Sequence, residues 1–268
     1  MMLSLPNVTL LCVETRDPNL AHWAIKQCTE KASFSQVVLI TNLGLLKEYE
    51  PNIKYVAAPN IQTTKDYSDL LLTGIEEYVS GTHVLIIQWD SFIIRSDLWQ
   101  DHFLTYDYIG PVWPHHPENP VGNGGFSLRS VKLLKAIKQP GFVKKHPEDY
   151  CICVDNREFL EKKYGIHFAP AEIAEQFAVE RSLWHPAFGF HGFFNFGYVL
   201  DDDQLSLFLN LMPASGMSGI DTYDLITSLR HQNRNQLAIE IADRVKFKWK
   251  MRRHFFKLKW WLLTQKFK

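Results

Sequence analysis

The stretch THVLIIQWD, Thr82 to Asp90, decides how the chain is read. Its apolar run, Thr82 to Gln88, is short and rich in β-branched residues, which marks a strand, and it ends in Gln88-Trp89-Asp90. In an open α/β sheet the loops converge at the carboxyl ends of the strands, while helices cover the faces. A ligand is therefore expected beside Asp90. Upstream, Val8–Val13 (VTLLCV), Gln36–Thr41 (QVVLIT) and Lys54–Ala57 read as strands, with helical stretches over Asn19–Lys31 and Ser68–Val79. That alternation predicts an α/β fold with a mostly parallel sheet. Downstream of residue 105 come loops rich in Gly, Pro, His and aromatic residues. Short strands are expected there at Tyr108–Pro111 and Gly125–Arg129, and helices at Glu148–Tyr164, Ala171–Glu180, Asp203–Leu211 and Asp221–Gln232.

The 268 residues, 46% hydrophobic and 22% charged, suit one large domain or two small ones and exclude a disordered or fibrous chain. Four cysteines without a CxxC pair argue against a disulfide framework or zinc module and for a reducing compartment. No apolar run reaches the ~20 residues that span a bilayer. The formal net charge of zero hides a division: residues 244–268 hold ten Lys/Arg and no acid, leaving 19 basic against 29 acidic residues in 1–243. A positive field confined to one appendage suggests attachment to an anionic surface. Nucleic acid and anionic lipid both fit that charge, although an acidic body disfavours nucleic acid.

Several residues could carry chemistry. Asp90 is presented at a strand end as a hard cation requires, or it caps the next turn through Ser91. In Gly122-Asn123-Gly124-Gly125 three glycines permit positive φ and close approach of backbone to a ligand; the pattern matches neither GxGxxG nor the P-loop. Glu148-Asp149 opens a predicted helix, where acids are favoured by the helix dipole alone. Glu14-Thr15-Arg16 follows the first strand, and Lys65 and Tyr67 are candidates for the same pocket. Trp113, His115 and His116 form an aromatic cluster that could flank a sugar or pack as a satellite core.

The run VGNGGFSLRS, preceded by IIQWDSFII and YIGPVW and followed by HPEDYCIC and FGFHGFFNFG, resembles a family of bacterial and fungal proteins catalogued as a domain of unknown function. That family looks like inverting, nucleotide-sugar-dependent glycosyltransferases of the GT-A fold, and the resemblance runs from Val8 to Gly197. It implies a GT-A-like mixed sheet flanked by helices. Gln88-Trp89-Asp90 takes the place of a DxD motif whose last acid binds a divalent metal, with His191 as partner ligand. The metal would be Mn²⁺ ahead of Mg²⁺, because imidazole suits Mn²⁺ better. Gln88 brings no charge, which lowers the expected metal affinity and leaves metal-independent transfer open. Glu148 and Asp149 would be the catalytic acids, Asp149 the base. Glu14, Thr15, Arg16, Lys65, Gln88, Asp90, Gly124 and Gly125 would bind the nucleotide diphosphate-sugar, a UDP-sugar by the resemblance, and the acceptor would be a cell-envelope glycan or lipid-linked saccharide.

The expected organisation is a catalytic domain over residues 1–219 and a helical extension over 220–268. Because neither Gly nor Pro follows Gly219, a continuous helix is expected to Lys268, with Ile241, Val245, Trp249, Phe256, Trp260, Leu263 and Phe267 as one apolar stripe. Such a tail would hold a cytoplasmic enzyme to an anionic membrane surface through 244–268, with no nucleic acid bound. A catalytically silent sugar- or nucleotide-binding module, and a nucleic-acid-binding protein acting through the tail, remain the rival readings.

Overall fold

The computed structural model describes residues 2–213, 216–245 and 252–265. The chain forms two compact units, residues 1–191 and 192–268. The boundary expected at 219/220 lies inside the second of these.

The first unit contains β1 (Leu3–Glu14), α1 (Pro18–Thr29), β2 (Ala32–Thr41), β3 (Lys54–Ala57), α2 (Thr64–Thr73), β4 (His83–Ile87), β5 (Ser91–Ile93), β6 (Tyr108–Ile109) and β7 (Phe126–Ser130). It continues with α3 (Val131–Ala136), α4 (Glu148–Tyr150), α5 (Arg157–Tyr164), α6 (Ala171–Phe177), β8 (Ala178–Val179) and β9 (Gly189–His191). The expected α/β architecture is present as a mixed six-stranded sheet in the order β3-β2-β1-β4-β7-β6, with helices packed against it, and a three-stranded sheet in the order β5-β9-β8. Strands β1 to β4 run parallel, whereas β7 runs antiparallel to β4 and β6. All five residues of β4 are buried, as is every residue of β1 from Val8 to Glu14, so the central strands carry near-continuous apolar sequence.

Two features of this topology place the site. The chain leaves β1 toward β2 on one side and returns to β4 on the other, which opens a crevice between the carboxyl ends of β1 and β4. Because β7 is antiparallel to β4, with Ile87 opposite Phe126, the segment that precedes β7 arrives at that same edge. Gly122–Gly125 therefore lies beside Gln88, whose amide donates to Gly125 O at 3.1 Å. Ser91 closes the 88–91 turn: its hydroxyl accepts from Gln88 N at 2.9 Å and donates to Gly125 O at 2.6 Å.

Helix limits differ from expectation where a side chain competes for the backbone. The helix expected over Ser68–Val79 begins at Thr64, because Thr63 and Asp66 form a capping box, and ends at Gly74, with a 3₁₀ turn over Glu76–Tyr78. The helix expected over Glu148–Tyr164 is three pieces: α4, a π-helical turn over Cys151–Asp155, and α5. Asn156 breaks it, its side-chain amide donating to Val143 O and Cys151 O at 2.9 Å each.

The second unit comprises α7 (Phe196–Val199), α8 (Asp202–Leu211), α9 (Ile220–His231), α10 (Asn235–Arg244) and α11 (Arg252–Gln265). Phe193, Phe196 and Phe208 pack ring on ring, with centroids 4.8–5.9 Å apart. The continuous helix expected from Ile220 to Lys268 is absent. Asn233 adopts φ 61°, a left-handed conformation that Asn tolerates nearly as well as Gly, and Val245 is extended. The expected stripe is accordingly divided: Ile241 is buried, Val245 ends α10, Phe256, Trp260 and Leu263 are exposed on α11, and Trp249 and Phe267 lie outside the described residues. Helix α11 is held to α9 by Arg230 over the Trp261 ring at 4.3 Å and by Tyr223 against His254 at 4.7 Å. No described helix is long and apolar enough to cross a membrane.

Candidate active site

Two cavities that share Thr64, Tyr67 and Gln88 open at the carboxyl edge of the sheet. The larger, about 350 Å³, is lined by Val13–Arg16 after β1, by Ile61–Thr64 and Tyr67 around the start of α2, and by Gln88 and Trp89 after β4. The smaller, about 210 Å³, is lined by Asn123–Gly125, His146–Asp149 and His191 together with α2. The strand ends and the glycine segment that the sequence singled out thus meet at one place.

In the larger cavity the Glu14 carboxylate is fixed by the backbone amides of Arg16 and Asp17, at 2.7 and 3.2 Å. Arg16 reaches into solvent, its guanidinium Nε 3.6 Å from Glu14. Lys65 is not brought in; it lies exposed on α2, ion-paired with Asp69 at 2.5 Å. Tyr67 and Gln88 form the wall between the cavities, Gln88 Nε2 donating to Tyr67 Oη at 3.1 Å. Burial, then the nearby Glu148 charge, pushes the Tyr67 phenol above its ordinary value. Tyr67 is therefore a neutral hydroxyl.

The glycines serve a purpose that their pattern did not reveal. None of Gly122, Gly124 and Gly125 has positive φ; the left-handed residue is Asn123, at φ 59°. Each glycine instead makes room for a side chain of the protein itself. A Cβ at Gly122 would collide with the Trp113 ring, one at Gly124 with Glu148 and Arg129, and one at Gly125 with the His191 ring. Trp113, read as either a sugar-flanking ring or part of a satellite core, is buried against Gly122, leaving His115 exposed and His116 and Tyr150 half-buried around it.

On the Gly124 side, fully buried Arg129 donates to Glu148 Oε1 at 3.1 Å and to Ser127 Oγ at 3.0 Å. Burial raises the Glu148 carboxyl above its ordinary value and the Asp149 charge adds to this, while Arg129 opposes both. Arg129 remains a cation: burial works against its charge, but Tyr108 and Glu148 outweigh it. Asp149, half-buried, is left with its carboxylate at the smaller cavity; Oδ2 accepts from Gly124 N at 3.0 Å and Oδ1 from Tyr150 N at 2.8 Å. Neighbouring acids that line the same cavity thus have different partners, Glu148 an internal cation and Asp149 two backbone amides. The segment is tied to α2 through His146, whose ring nitrogens lie 2.7 Å from Ser68 Oγ and 3.2 Å from Thr64 Oγ1.

On the Gly125 side, His191 Nε2 lies 3.2 Å from Gln88 Oε1 and 3.6 Å from Asp90 Oδ1, and Nδ1 lies 3.0 Å from Glu180 Oε1. Burial favours the neutral imidazole, but the Asp90 and Glu180 carboxylates prevail and lift His191 well above its ordinary value. Among the described residues no group of three or more His, Cys, Asp or Glu is arranged to hold a metal ion. Asp90 and His191 supply two adjacent donors of the type Mn²⁺ accepts, which fits an ion whose other positions belong to diphosphate and water. Glu180 escaped the sequence reading because it lies at the end of a predicted helix, far from every motif; only the parallel pairing of β8 with β9 brings it to His191.

A sequence family described as "Protein of unknown function (DUF5672)" matches residues 50–191, more than half of the chain, including Gln88–Asp90, Gly122–Gly125, Glu148–Asp149 and His191. No curated protein matches in sequence. Among solved structures, the bifunctional IspDF from Campylobacter jejuni is similar at 12% identity and TM-score 0.38, over 55% of this chain and 46% of that one. The mannosyltransferase PcManGT from Pyrobaculum calidifontis, solved with GDP-Man and Mn²⁺, is similar at 13% identity and TM-score 0.43, over 64% and 58%. A glycosyltransferase involved in glycosylation of the major capsid of PBCV-1 is similar at 11% identity and TM-score 0.40, over 69% and 91%. The chain thus spans about half the length of the first two.

Proposed function

The chain belongs to the DUF5672 family of proteins of unknown function, and on that premise we propose that it is a GT-A-like glycosyltransferase that moves a sugar from a nucleotide diphosphate donor to an acceptor hydroxyl with inversion. The observation that carries the reading is the position of Asp149: a carboxylate bound by the Gly124 amide at the smaller cavity, which shares the Tyr67–Gln88 wall with the larger. The donor nucleotide, a uridine diphosphate by preference, occupies the larger cavity along Glu14, Thr15 and Arg16; the acceptor occupies the smaller. Asp149 takes the proton of the acceptor hydroxyl as its oxygen attacks the anomeric carbon from the face opposite the departing diphosphate. Glu148, engaged by Arg129, holds the Asp149 segment in place. Asp90 and His191 hold Mn²⁺, which when bound neutralises charge on the leaving diphosphate.

Asp149→Asn tests this directly. An amide cannot accept the proton, so transfer should fall by ~10²-fold or more while nucleotide binding is retained. Transfer at the wild-type rate would reject Asp149 as base and the mechanism with it.

The basic tail accords with attachment to an anionic membrane bearing a lipid-linked or cell-envelope acceptor. Phe256, Trp260 and Leu263 are exposed on α11, with Lys257 and Lys259 exposed between them. Each basic residue near such a surface contributes about 1 kcal/mol, and Trp suits the headgroup layer. Phe256→Ser/Trp260→Ser should weaken binding to phosphatidylserine vesicles and leave transfer to a soluble acceptor unchanged. Unaltered vesicle binding would refute the surface.

A further inference from the structure

We infer that Glu180 is a positioning residue of this site: gripped by Asn123 of the glycine segment, it orients the His191 ring so that Nε2 faces Asp90. The inference rests on the proposed metal role of Asp90 and His191.

The backbone sets up the contact. In the β8–β9 pair Ala178 lies opposite Gly189 and Val179 opposite Phe190, so Glu180 follows β8 at the level of His191. Glu180 Oε1 lies 3.0 Å from His191 Nδ1, and the two side chains are 13% and 16% exposed, which shields the pair from competing water. Glu180 Oε2 accepts from Asn123 Nδ2. Asn123 is itself fixed, its Oδ1 accepting from Gly125 N at 2.9 Å. Gly125 in turn has no side chain to displace the His191 ring. A closed circuit results, in which the glycine segment that grips the ring's supporting carboxylate also provides the floor beneath the ring.

An imidazole can turn about its χ2 bond and can carry its proton on either nitrogen. A carboxylate at Nδ1 removes both freedoms: it retains the proton on Nδ1 and leaves the Nε2 lone pair on the Asp90 side, where a cation would be held. Carboxylate support of this kind raises the basicity of a metal-binding histidine, and its loss typically costs 10- to 100-fold in metal affinity. If Glu180 served only to fasten β8 to the glycine segment, its replacement would lower the melting temperature and spare the ion.

Mn²⁺ affinity measured by titration calorimetry on the full chain separates these roles. Glu180→Gln should raise the Mn²⁺ dissociation constant by about 10- to 100-fold, with nucleotide affinity in chelator and the melting temperature little changed. Asn123→Gly, which keeps the left-handed backbone and removes the grip, should weaken Mn²⁺ binding by a smaller factor and add nothing in the Glu180→Gln background, as expected of residues in one network. An unchanged dissociation constant in Glu180→Gln overturns the inference, as does a loss matched in chelator by equal losses of nucleotide affinity and melting temperature. His191→Ala is the control: if it spares Mn²⁺ binding the metal reading itself fails, whereas if it abolishes binding that Glu180→Gln leaves intact, only the role of Glu180 fails.

Discussion

The two sides of the glycine segment differ in kind, although Gly124 and Gly125 are consecutive. The Gly124 side rests on a fully buried guanidinium paired with a buried carboxylate, so its position is part of the fold. The Gly125 side faces the His191 imidazole, which lies between the Asp90 and Glu180 carboxylates and itself lines the cavity. Charges sealed inside a protein must be paired to be tolerated at all, whereas charges at a cavity wall can exchange partners with a ligand. On the proposed reading the Gly124 side is structural support and the Gly125 side meets the ligand.

The largest expected effect breaks the first side. Arg129→Met leaves Glu148 buried without its cation and should destabilise the protein by about 3–5 kcal/mol in urea unfolding. A loss below about 1 kcal/mol would mean that water or another donor already serves Glu148, and the contrast between the two sides would collapse.

Removing donors from the second side should register in ligand binding. Asp90→Ala and His191→Ala are each expected to weaken Mn²⁺ binding by at least about 10²-fold, near 2.7 kcal/mol, and nucleotide diphosphate binding along with it. Nucleotide affinity that is indifferent to chelator in the unmutated protein would show instead that neutral Gln88 has made donor binding metal-independent.

The finest discrimination comes from the glycines themselves. Gly124→Ala presses on Glu148 and Arg129, and Gly125→Ala presses on the His191 ring. Each overpacking should cost roughly 1–3 kcal/mol, but in different quantities: the first in stability and transfer, the second in Mn²⁺ affinity. Identical profiles for the two variants would mean that the segment moves as one piece and that the two sides are not separable.

Much of the frame was legible in the sequence. Apolar runs at Val8–Val13, Gln36–Thr41 and Thr82–Gln88 fall on β1, β2 and β4, because a strand buried on both faces must be apolar throughout. Asp90, Gly124, Gly125, Asp149 and His191 do converge, and Gln88 with them. Lys65 does not, since nothing in a helix's sequence tells whether a flexible cation will face a cavity or an acid one turn away. The tail misled for a related reason: absence of Gly and Pro permits a long helix without requiring one, and Asn233 took the left-handed turn.

The alternation of strands and helices, the carboxylate just beyond β4 and the concentration of positive charge in residues 244–268 were readable from the chain alone, since each depends on neighbours along it. Tertiary structure alone decided that β7 runs antiparallel and delivers the glycines to Gln88, that Glu148 is spent on Arg129 while Asp149 meets the Gly124 amide, and that Glu180 meets His191. Those contacts join residues 11 to 37 positions apart. Local propensity carries no information over such separations; strand register and the space left by absent side chains supply it.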